Sequence, residues 1–308
     1  MADIIIIGAG TAGLTAALYA RRAGMDVVVF ESDSYGGQII NTPQIENYPG
    51  IKNVSGFEFA TGLYEQATAL GARVQFDKVV SIEGSFDEGF TVKGEYGASE
   101  TGKCIIIASG ARNRHMGIAG EEKLEGRGIS YCATCDGSFF KGKTTAVVGG
   151  GNTALEDAVY LSDLCEKVYI IHRRDEYRGD PAQVEILRSR DNIEELLSYV
   201  VKDLKGDEKL QGLVLESRKD GSLKEISVDG VFVAIGQIPS SELFRGIVDM
   251  DGSGYIASGE DCHTNVKGIF AAGDIRTKKV RQLTTAASDG AVAALAACDL
   301  IRSLKSGQ

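Results

Sequence analysis

The chain has 308 residues, of which 43% are hydrophobic and 25% are charged, so it has room for about two globular domains. Its formal net charge is −10 and it has no block of Lys and Arg residues, which excludes a nucleic-acid partner because phosphate binding needs a basic surface. No apolar run reaches the roughly 18 residues that span a membrane, and the N-terminal MADIIIIGAG lacks the basic region of a signal peptide, so we expect a cytoplasmic protein without a membrane partner.

The chain begins with a predicted strand, glycine turn, helix and second strand, IIIIGAGTAGLTAALYARRAGMDVVVFE. The turn reads Gly8-x-Gly10-x-x-Gly13, and this context is typical of dinucleotide-binding units. The three glycines permit a tight turn, close approach of the backbone to a pyrophosphate, and close packing of helix on sheet. Glu31 ends the second strand, where a carboxylate accepts hydrogen bonds from ribose hydroxyls and repels a 2′-phosphate. The pattern predicts a dinucleotide with an unmodified ribose.

Two cysteines lie three residues apart in the segment YCATCDG, at Cys132 and Cys135. A zinc site needs about four ligands, but the three histidines are scattered at positions 115, 172 and 263 and there is no second cysteine pair, so we predict no metal site. A structural disulfide closing so short a loop would add little stability, because the gain grows with loop length. Thiol–disulfide chemistry remains, and Cys-x-x-Cys geometry favours it by lowering a thiol pKa from about 8.5 to about 7.

The dinucleotide-binding pattern recurs in TTAVVGGGNTALEDAVYLSDLCEKVYIIHRR, with the turn Gly149-x-Gly151-x-x-Ala154. The second strand ends 23 residues after the first glycine in both copies. In place of the terminal glutamate this copy has a basic group, His172, Arg173 and Arg174, with Arg178 one helical turn further on. Guanidinium groups bind a 2′-phosphate through charge-assisted hydrogen bonds, so the second unit is predicted to bind NADPH.

Apolar strands that end in glycine turns follow in VFVAIGQIP (231–239) and in GIFAAGDIRTKKVRQLTTAASDGAVAALAACDLI, which continues into a long alanine-rich helix. Asp274 ends the last of these strands, where its carboxylate can accept a hydrogen bond from a ribityl or ribose hydroxyl. Two different dinucleotides in one chain indicate electron transfer between them, and a flavin is the natural occupant of the first unit.

These motifs together resemble those of the low-molecular-weight, bacterial-type, NADPH-dependent thioredoxin reductases, which are flavoprotein disulfide reductases. The segments that carry the resemblance run from end to end of the chain: GAGTAG, GGQIINTPQIENYPG, CATCDG, VVGGGNTALEDA, HRRDEYR, VFVAIGQIP and IFAAGDIRTKKVRQLTTAASDG.

The resemblance implies an α/β fold with two Rossmann-like, three-layer ββα dinucleotide-binding domains, in which the NADPH domain is inserted in a discontinuous FAD domain. It assigns residues 1–113 plus 241–308 to the FAD domain and residues 117–238, with the redox-active CATC, to the NADPH domain. Hinges are expected near 114–117 and near 236–241.

The resemblance also implies the roles of individual residues. The residues expected to bind FAD are Gly8, Gly10, Ala12, Gly13, Glu31, Gly37, Gln38, Asn47, Asp274, Arg281 and Gln282. The residues expected to bind NADPH are Gly149, Gly151, Asn152, Thr153, His172, Arg173, Arg174 and Arg178. The expected catalytic residues are Cys132, Cys135 and Asp136.

The reaction that the resemblance implies begins with hydride transfer from NADPH to FAD and continues with two-electron reduction of the Cys132–Cys135 disulfide. Cys132 then attacks a disulfide of thioredoxin or a thioredoxin-like protein, Cys135 resolves the mixed disulfide, and Asp136 protonates the leaving thiolate. Because the cysteines and the NADPH turn share one domain while the flavin lies in the other, we expect a rotation about the hinges between half-reactions. The resemblance also implies a homodimer.

Three other functions are compatible with parts of the pattern. A peroxiredoxin-reductase-like enzyme shares the scaffold but prefers NADH, which the segment HRRDEYR disfavours. A ferredoxin-driven disulfide reductase would have a degraded second glycine turn, whereas this one is intact. A flavin-binding sensor without turnover would not need CATCDG.

Overall fold

The chain divides into two units in the computed structural model, which describes residues 1–306. Unit 1 comprises residues 1–112 and the segment from residue 238 onward, and unit 2 comprises residues 113–237. The strands, in chain order, are β1 (Ala2–Ile7), β2 (Val27–Glu31), β3 (Arg73–Phe76), β4 (Val79–Ser85), β5 (Gly89–Gly94), β6 (Ser99–Ile107), β7 (Ala111–Asn113), β8 (Ile129–Ser130), β9 (Thr144–Val148), β10 (Lys167–His172), β11 (Ile193–Leu197), β12 (Tyr199–Lys205), β13 (Gly212–Ser217), β14 (Leu223–Ser227), β15 (Gly230–Val233), β16 (Gln237–Pro239) and β17 (Ile269–Ala271). The α-helices are α1 (Thr11–Arg22), α2 (Gly56–Ala69), α3 (Glu121–Leu124), α4 (Ala133–Asp136), α5 (Asn152–Ser162), α6 (Pro181–Arg188) and α7 (Leu283–Ser306).

The sheet of unit 1 has the strand order β3-β2-β1-β6-β5-β4, with β17 also paired to β6. Strands β3, β2, β1, β6 and β17 run parallel, and β5 and β4 continue the sheet antiparallel. Ile4, Ile5 and Ile6 are all fully buried, which explains why β1 is a continuous apolar run: both faces of a parallel sheet are covered. Because parallel strands end at the same edge of a sheet, the residues that follow β1, β2 and β17 lie along one edge.

Helix α1 packs on β1 at a distance that only glycine allows. A Cβ atom on Gly13 would lie 1.8 Å from the carbonyl oxygen of Gly8 and 3.3 Å from Cγ2 of Ile6. Gly8 itself has φ of 109°, a left-handed conformation that makes the turn from strand to helix possible. The glycines of the motif therefore meet a packing requirement.

Helix α7 packs against α1 through small residues. A Cβ atom on Gly290 would lie 2.2 Å from the carbonyl oxygen of Ala12, and Ala293, Ala294 and Ala297 are fully buried. By length and composition alone, Leu283–Leu304 is apolar enough to span a membrane, which corrects the expectation that no stretch of the chain is. Its apolar residues instead cover the core of unit 1, as in any buried core helix, so the match is weak evidence for a membrane span.

Unit 2 has three layers around a parallel sheet of strand order β11-β10-β9-β15-β8. Alternate residues of each strand point to opposite faces: Ala146 and Val231 pack against the antiparallel sheet β12-β13-β14, whereas Val147 and Phe232 pack against α5 and α6. This is the ββα layering expected from the sequence, and the predicted α/β class is confirmed.

The segments that connect the two units run as the short strands β7 and β16, which pair with each other. On the unit 1 side the amide of Ser240 donates to the carbonyl of Gly110 at 3.0 Å, and on the unit 2 side the amide of Arg114 donates to the carbonyl of Gly236 at 3.1 Å. The hinge role of residues 114–117 and 236–241 stays a prediction.

The close contact at Gly13 makes a testable prediction about stability. We expect Gly13→Ala to lower the free energy of unfolding by at least about 1–3 kcal/mol, because the methyl group must displace backbone atoms. Gly62→Ala in α2 is the matched control, since no atom lies within 4 Å of its added Cβ and it should gain about 0.5–1 kcal/mol. Urea unfolding followed by circular dichroism measures both, and equal effects of the two substitutions would contradict this account of α1.

Candidate functional site

Beside the first turn of α1 lies a surface on which two glycines leave the backbone uncovered by side chains of their own. A Cβ atom on Gly10 would have only the carbonyl oxygen of Gly36 within 4 Å, at 3.9 Å, and one on Gly37 would have only Cα of Gly10, at 3.6 Å. The backbone amides at the start of α1 adjoin this surface, which we call the unit 1 cradle (Gly10 and Gly37). A helix N-terminus with a bare approach favours an anionic group such as a pyrophosphate.

Glu31 lies at the end of β2, beside the glycine turn. Its Oε2 accepts a hydrogen bond from the amide of Ala9 at 2.7 Å, and its Oε1 accepts one from the amide of Asp33 at 3.1 Å. These bonds fix the carboxylate beside the turn and leave acceptor capacity on both oxygens. The structure therefore places Glu31 at the strand end that the sequence predicts, directly beside the glycine turn.

The segment after the cradle is tied to distant parts of unit 1. The side-chain amide of Gln38 donates to the carbonyl of Ala111. Nδ2 of Asn47 donates to Oε1 of Gln282 at 3.2 Å, although 235 residues separate them in the chain. Asn47 and Gln282 lie near opposite ends of the chain, and the sequence assigned both to one site; the structure brings them into contact.

Asp274 lies in the short turn that follows β17, and its Oδ1 is buried without a hydrogen-bond partner among residues 1–306. Burial raises the pKa of this carboxyl, against the attraction of Lys278 and Arg281. Buried carboxylate oxygens are normally hydrogen-bonded, so an unpartnered one beside the α1 turn fits a hydroxyl-bearing ligand. The turn contacts α1 directly, since a Cβ on Gly273 would lie 2.8 Å from Cβ of Ala12.

Arg281 adjoins Asp274. Its Nε donates to the carbonyl of Asp274 at 3.4 Å, and its guanidinium lies over the ring of Tyr255 at 4.1 Å from the centroid. The stacked ring holds the arginine without neutralising its charge, so the cation remains available to an anionic ligand.

A buried ionic cluster, which the sequence analysis missed, holds the Gly273–Asp274 turn in place. Asp289 of α7 accepts hydrogen bonds from Arg276 at 2.7 and 2.8 Å, from Lys278 at 2.8 Å and from the amide of Gly273 at 2.9 Å. The side chains of Arg276, Lys278 and Asp289 are only 4–7% exposed. An aspartate within the alanine-rich face of a buried helix is the sequence signal for such a cluster, because a lone charge is almost never buried unpaired.

The cluster also sets the protonation of Asp289. Burial raises the pKa of its carboxyl, but the hydrogen bonds from Arg276 and Lys278 outweigh burial, and the pKa lies below its ordinary value. A lowered folded-state pKa stabilises the fold above the unfolded-state value and ceases to do so as the pH falls through the folded-state value. The turn that holds Asp274 should therefore loosen under acid conditions.

The chemistry-bearing residues of unit 2 lie at one edge of its parallel sheet. Strand β8 leads into Cys132, β9 into the glycine turn at Gly149, and β10 into Arg173. Since β8, β15, β9 and β10 are parallel neighbours, these three segments follow strand ends at the same edge. The sheet therefore brings the cysteine pair and the second glycine turn to the same side of unit 2.

The second glycine turn repeats the bare approach of the first. No atom lies within 4 Å of a Cβ added to Gly151, at the start of α5; we call this the unit 2 cradle (Gly151). Asn152 and Thr153 are exposed in the first turn of α5, and Oδ1 of Asn152 accepts a hydrogen bond from the amide of Asp180 at 2.7 Å. The amide of Arg178 donates to the carbonyl of Gly150 at 2.7 Å, which joins the arginine segment to the turn.

The basic residues after β10 divide into two groups. His172, the last residue of β10, is 3% exposed and lies under the turn, since a Cβ on Gly150 would meet its ring at 2.3 Å. Its Nε2 donates a hydrogen bond to the carbonyl of Glu176 at 3.1 Å, because a carbonyl can only accept. Burial lowers the pKa of His172, and the three neighbouring arginines lower it further. Arg173, Arg174 and Arg178 are exposed beside the turn. The structure thus places the arginines at the surface and the histidine as support beneath it.

Cys132 and Cys135 form a disulfide across the short helix α4. Cys132 is half-buried and Cys135 is exposed. Asp136 follows directly, and its Oδ2 accepts a hydrogen bond from Oγ of Ser130 at 2.6 Å. Burial raises the pKa of Asp136, and the bond from Ser130 opposes that rise. The arrangement places a half-buried carboxyl beside the Cys132–Cys135 disulfide.

The other four cysteines, Cys104, Cys165, Cys262 and Cys298, are buried free thiols. Burial raises the pKa of each of them, which keeps them protonated and unreactive. The reactive sulfur chemistry of residues 1–306 is therefore confined to the pair at 132 and 135.

Comparison with known proteins gives consistent matches over the whole chain. The family model described as pyridine nucleotide-disulphide oxidoreductase matches residues 2–290. A thioredoxin reductase of Treponema pallidum (strain Nichols) is 42% identical over 304 residues, covering 98% of this chain and 98% of that protein. A thioredoxin reductase of Listeria monocytogenes serovar 1/2a is 41% identical over 310 residues, covering 98% and 95%. The crystal structure of thioredoxin reductase from Streptococcus pyogenes MGAS5005 has a TM-score of 0.94 at 38% identity, covering 98% of this chain and 99% of that chain.

The buried cluster makes a second testable prediction. We expect Asp289→Asn to lower the free energy of unfolding by about 3–5 kcal/mol, because it leaves two buried cations without their shared carboxylate. Asp299→Asn, on the same helix, removes an exposed carboxylate that faces Arg302 at 3.7 Å and should cost less than about 1 kcal/mol. Urea unfolding at neutral pH distinguishes them, and a cost below about 1 kcal/mol for Asp289→Asn would show that the cluster does not stabilise the turn.

Proposed function

Since this chain belongs to the pyridine nucleotide-disulphide oxidoreductase family, and within it to the thioredoxin reductases, we propose that it reduces the disulfide of thioredoxin with electrons from NADPH. Membership of the family implies a flavin and a nicotinamide cofactor. The finer assignments, FAD in unit 1 and NADPH in unit 2, are part of the proposal.

One arrangement in unit 2 carries this proposal. A disulfide, a bare glycine turn at a helix N-terminus and three exposed arginines follow strands β8, β9 and β10 at one edge of the parallel sheet. A pyrophosphate-binding turn alone is common, and a Cys-x-x-Cys pair alone has several uses. Their occurrence at one sheet edge supports a reductase that uses a phosphorylated nicotinamide nucleotide to generate a dithiol.

Unit 1 has the donor and acceptor groups that FAD needs. The cradle at Gly10 and Gly37 suits the pyrophosphate, Glu31 suits the ribose, and the unpartnered Oδ1 of Asp274 suits a ribityl hydroxyl. Arg281 supplies a positive charge beside the same turn. The other residues that the sequence assigned to this cofactor are Gly8, Ala12, Gly13, Gln38, Asn47 and Gln282. When bound, FAD supplies the two-electron chemistry that links nicotinamide oxidation to disulfide reduction.

Unit 2 fits NADPH by the same criteria. Gly149 lets the turn pack closely against α5, Gly151 leaves the start of α5 open to a pyrophosphate, and Asn152 and Thr153 offer polar groups there. The exposed Arg173, Arg174 and Arg178 suit the 2′-phosphate that distinguishes NADPH from NADH. Buried His172 supports the turn from below, so its part in binding is indirect.

The Cys132–Cys135 pair acts by thiol–disulfide exchange with the substrate. After two-electron reduction, the thiolate of Cys132 attacks one sulfur of the substrate disulfide, and the electron pair leaves on the other sulfur, which takes a proton from Asp136. The thiolate of Cys135 then attacks Sγ of Cys132 and restores the intramolecular disulfide, and the second substrate sulfur leaves as a thiolate that takes a proton from solvent. The raised pKa of Asp136 supports its role, because a general acid must hold its proton near the working pH.

Three further expectations remain proposals: the homodimer, the cytoplasmic location, and the rotation about residues 114–117 and 236–241 between half-reactions. Sedimentation of the purified protein tests the homodimer without reference to activity.

The proposed function is tested by a coupled assay with oxidised thioredoxin and either NADPH or NADH. We expect NADPH-dependent reduction, and we expect replacing Arg173, Arg174 and Arg178 together by Ser to raise KM for NADPH by about 10²-fold or more, because charge-assisted hydrogen bonds to the 2′-phosphate are lost. KM for NADH should change little. Arg190→Ser is the control, a partly exposed arginine of the same unit that pairs with Asp163 at 2.7 Å. Equal use of NADH by the unaltered enzyme would refute the assignment of the arginines, and absence of thioredoxin reduction with either nucleotide would refute the function.

A further inference from the structure

Ser130 links the two catalytic elements of unit 2. It ends β8, is 5% exposed, and precedes Cys132 by two residues. Its Oγ lies 2.6 Å from Oδ2 of Asp136 and 3.1 Å from the backbone nitrogen of Cys132. One buried hydroxyl thus contacts both the acid and the backbone of a reactive cysteine.

The direction of each bond follows from chemistry. The amide of Cys132 can only donate, so Oγ accepts there. The single hydroxyl proton then has two acceptors, Oδ2 of Asp136 at 2.6 Å and the carbonyl of Cys132 at 3.4 Å. The shorter distance lies in the usual range of an O–H···O hydrogen bond, whereas the longer one lies beyond it. Ser130 therefore donates to Oδ2, and a proton carried by Asp136 is left to Oδ1.

Asp136 has no other fixed orientation within the described part of the chain. Its side chain makes no hydrogen bond there except the one from Ser130. The terminal torsion of an aspartate is broad and nearly two-fold, so an unrestrained carboxyl would present either oxygen. One hydrogen bond from the buried Ser130 hydroxyl is enough to make the two carboxyl oxygens of Asp136 different.

The electrostatic surroundings of Asp136 are simple. Burial raises its pKa and the Ser130 hydrogen bond lowers it. The helix packed against α4 is α5, whose acidic side chains Glu156 and Asp157 are not among the causes of the shift. The charge on Asp136 is thus stabilised chiefly by one neighbour, Ser130.

We propose that Ser130 is a positioning residue that holds Oδ2 of Asp136, so that Oδ1 delivers the proton to the leaving sulfur, and that it stabilises the carboxylate left behind. This rests on the proposed function, since it requires Asp136 to be the general acid. The bond from Cys132 Sγ to one substrate sulfur forms as the substrate disulfide breaks, the leaving sulfur takes the Oδ1 proton, and solvent reprotonates the carboxylate. The same hydroxyl accepts a hydrogen bond from the Cys132 amide, so it also fixes the position of the acid relative to the attacking cysteine.

The test compares pH profiles of kcat for thioredoxin reduction by the flavin-loaded enzyme. At high pH kcat should fall as Asp136 loses its proton, and this fall is the alkaline limb of the profile. Without the Ser130 bond the acid keeps its proton to higher pH, so in Ser130→Ala the alkaline limb should move up by about one to two pH units. Because Oδ1 is no longer oriented, kcat at neutral pH should fall about tenfold. Ser130→Cys, which preserves the packing but is a weak donor, should give the same shift. Ser130→Thr retains the hydroxyl and should restore both the limb and the rate. Ser138→Ala, at an exposed serine of the following turn, is the control and should leave the profile unchanged.

Asp136→Asn separates this proposal from the function on which it rests. If Asp136→Asn removes the alkaline limb and Ser130→Ala shifts it, both stand. If Asp136→Asn removes the limb but Ser130→Ala and Ser130→Cys leave its pH position unchanged, Ser130 has only a structural role and this proposal is wrong. The same holds if the two Ser130 variants lower kcat by the same factor at every pH. If Asp136→Asn retains both rate and limb, Asp136 is not the general acid and both assignments fail.

Discussion

Both units depend on a helix that begins directly against a strand end, at a distance that only glycine permits. A Cβ on Gly13 of α1 would lie 1.8 Å from the carbonyl oxygen of Gly8, and one on Gly149 would lie 2.7 Å from Cβ of Ala154 in α5. This contact fixes the first turn of each helix at the end of a buried strand. It also leaves Gly10 and Gly151 facing open space, so the packing that builds each core leaves a bare helix N-terminus where an anion can bind.

Three buried or half-buried aspartates show how the same side chain serves structure or chemistry. Asp289 is fully paired with Arg276, Lys278 and a backbone amide, its pKa is lowered, and it holds a turn. Asp136 and Asp274 lack a cation partner at hydrogen-bond distance, and burial raises the pKa of both. Each has an oxygen without a protein partner among residues 1–306. Incomplete pairing marks the two that can serve a ligand or a substrate.

Local patterns in the sequence were enough to predict the glycine turns, the strand ends at Glu31 and His172, and the cysteine pair at 132 and 135, because each rests on spacing within a few residues. The contacts that hold these groups were not predictable. The Asp289 cluster and the bond between Asn47 and Gln282 join segments that meet only through tertiary packing. The position of His172 under Gly150 was also missed, because a basic residue at a strand end gives no sign of whether it points to solvent or to the core. Helix α7 was underestimated as an apolar segment, since its two aspartates interrupt the run without breaking the helix.

We propose that one chain holds two redox centres in series, a flavin and the Cys132–Cys135 disulfide. Anaerobic titration of the flavin-loaded protein with NADPH, followed by flavin absorbance and by counting free thiols after denaturation, tests it most directly. The account predicts that full reduction takes two equivalents of NADPH per chain and yields two new thiols, and that a Cys132→Ser, Cys135→Ser double variant takes one equivalent and yields none. Full reduction of the unaltered protein by one equivalent, with the disulfide intact, would contradict it.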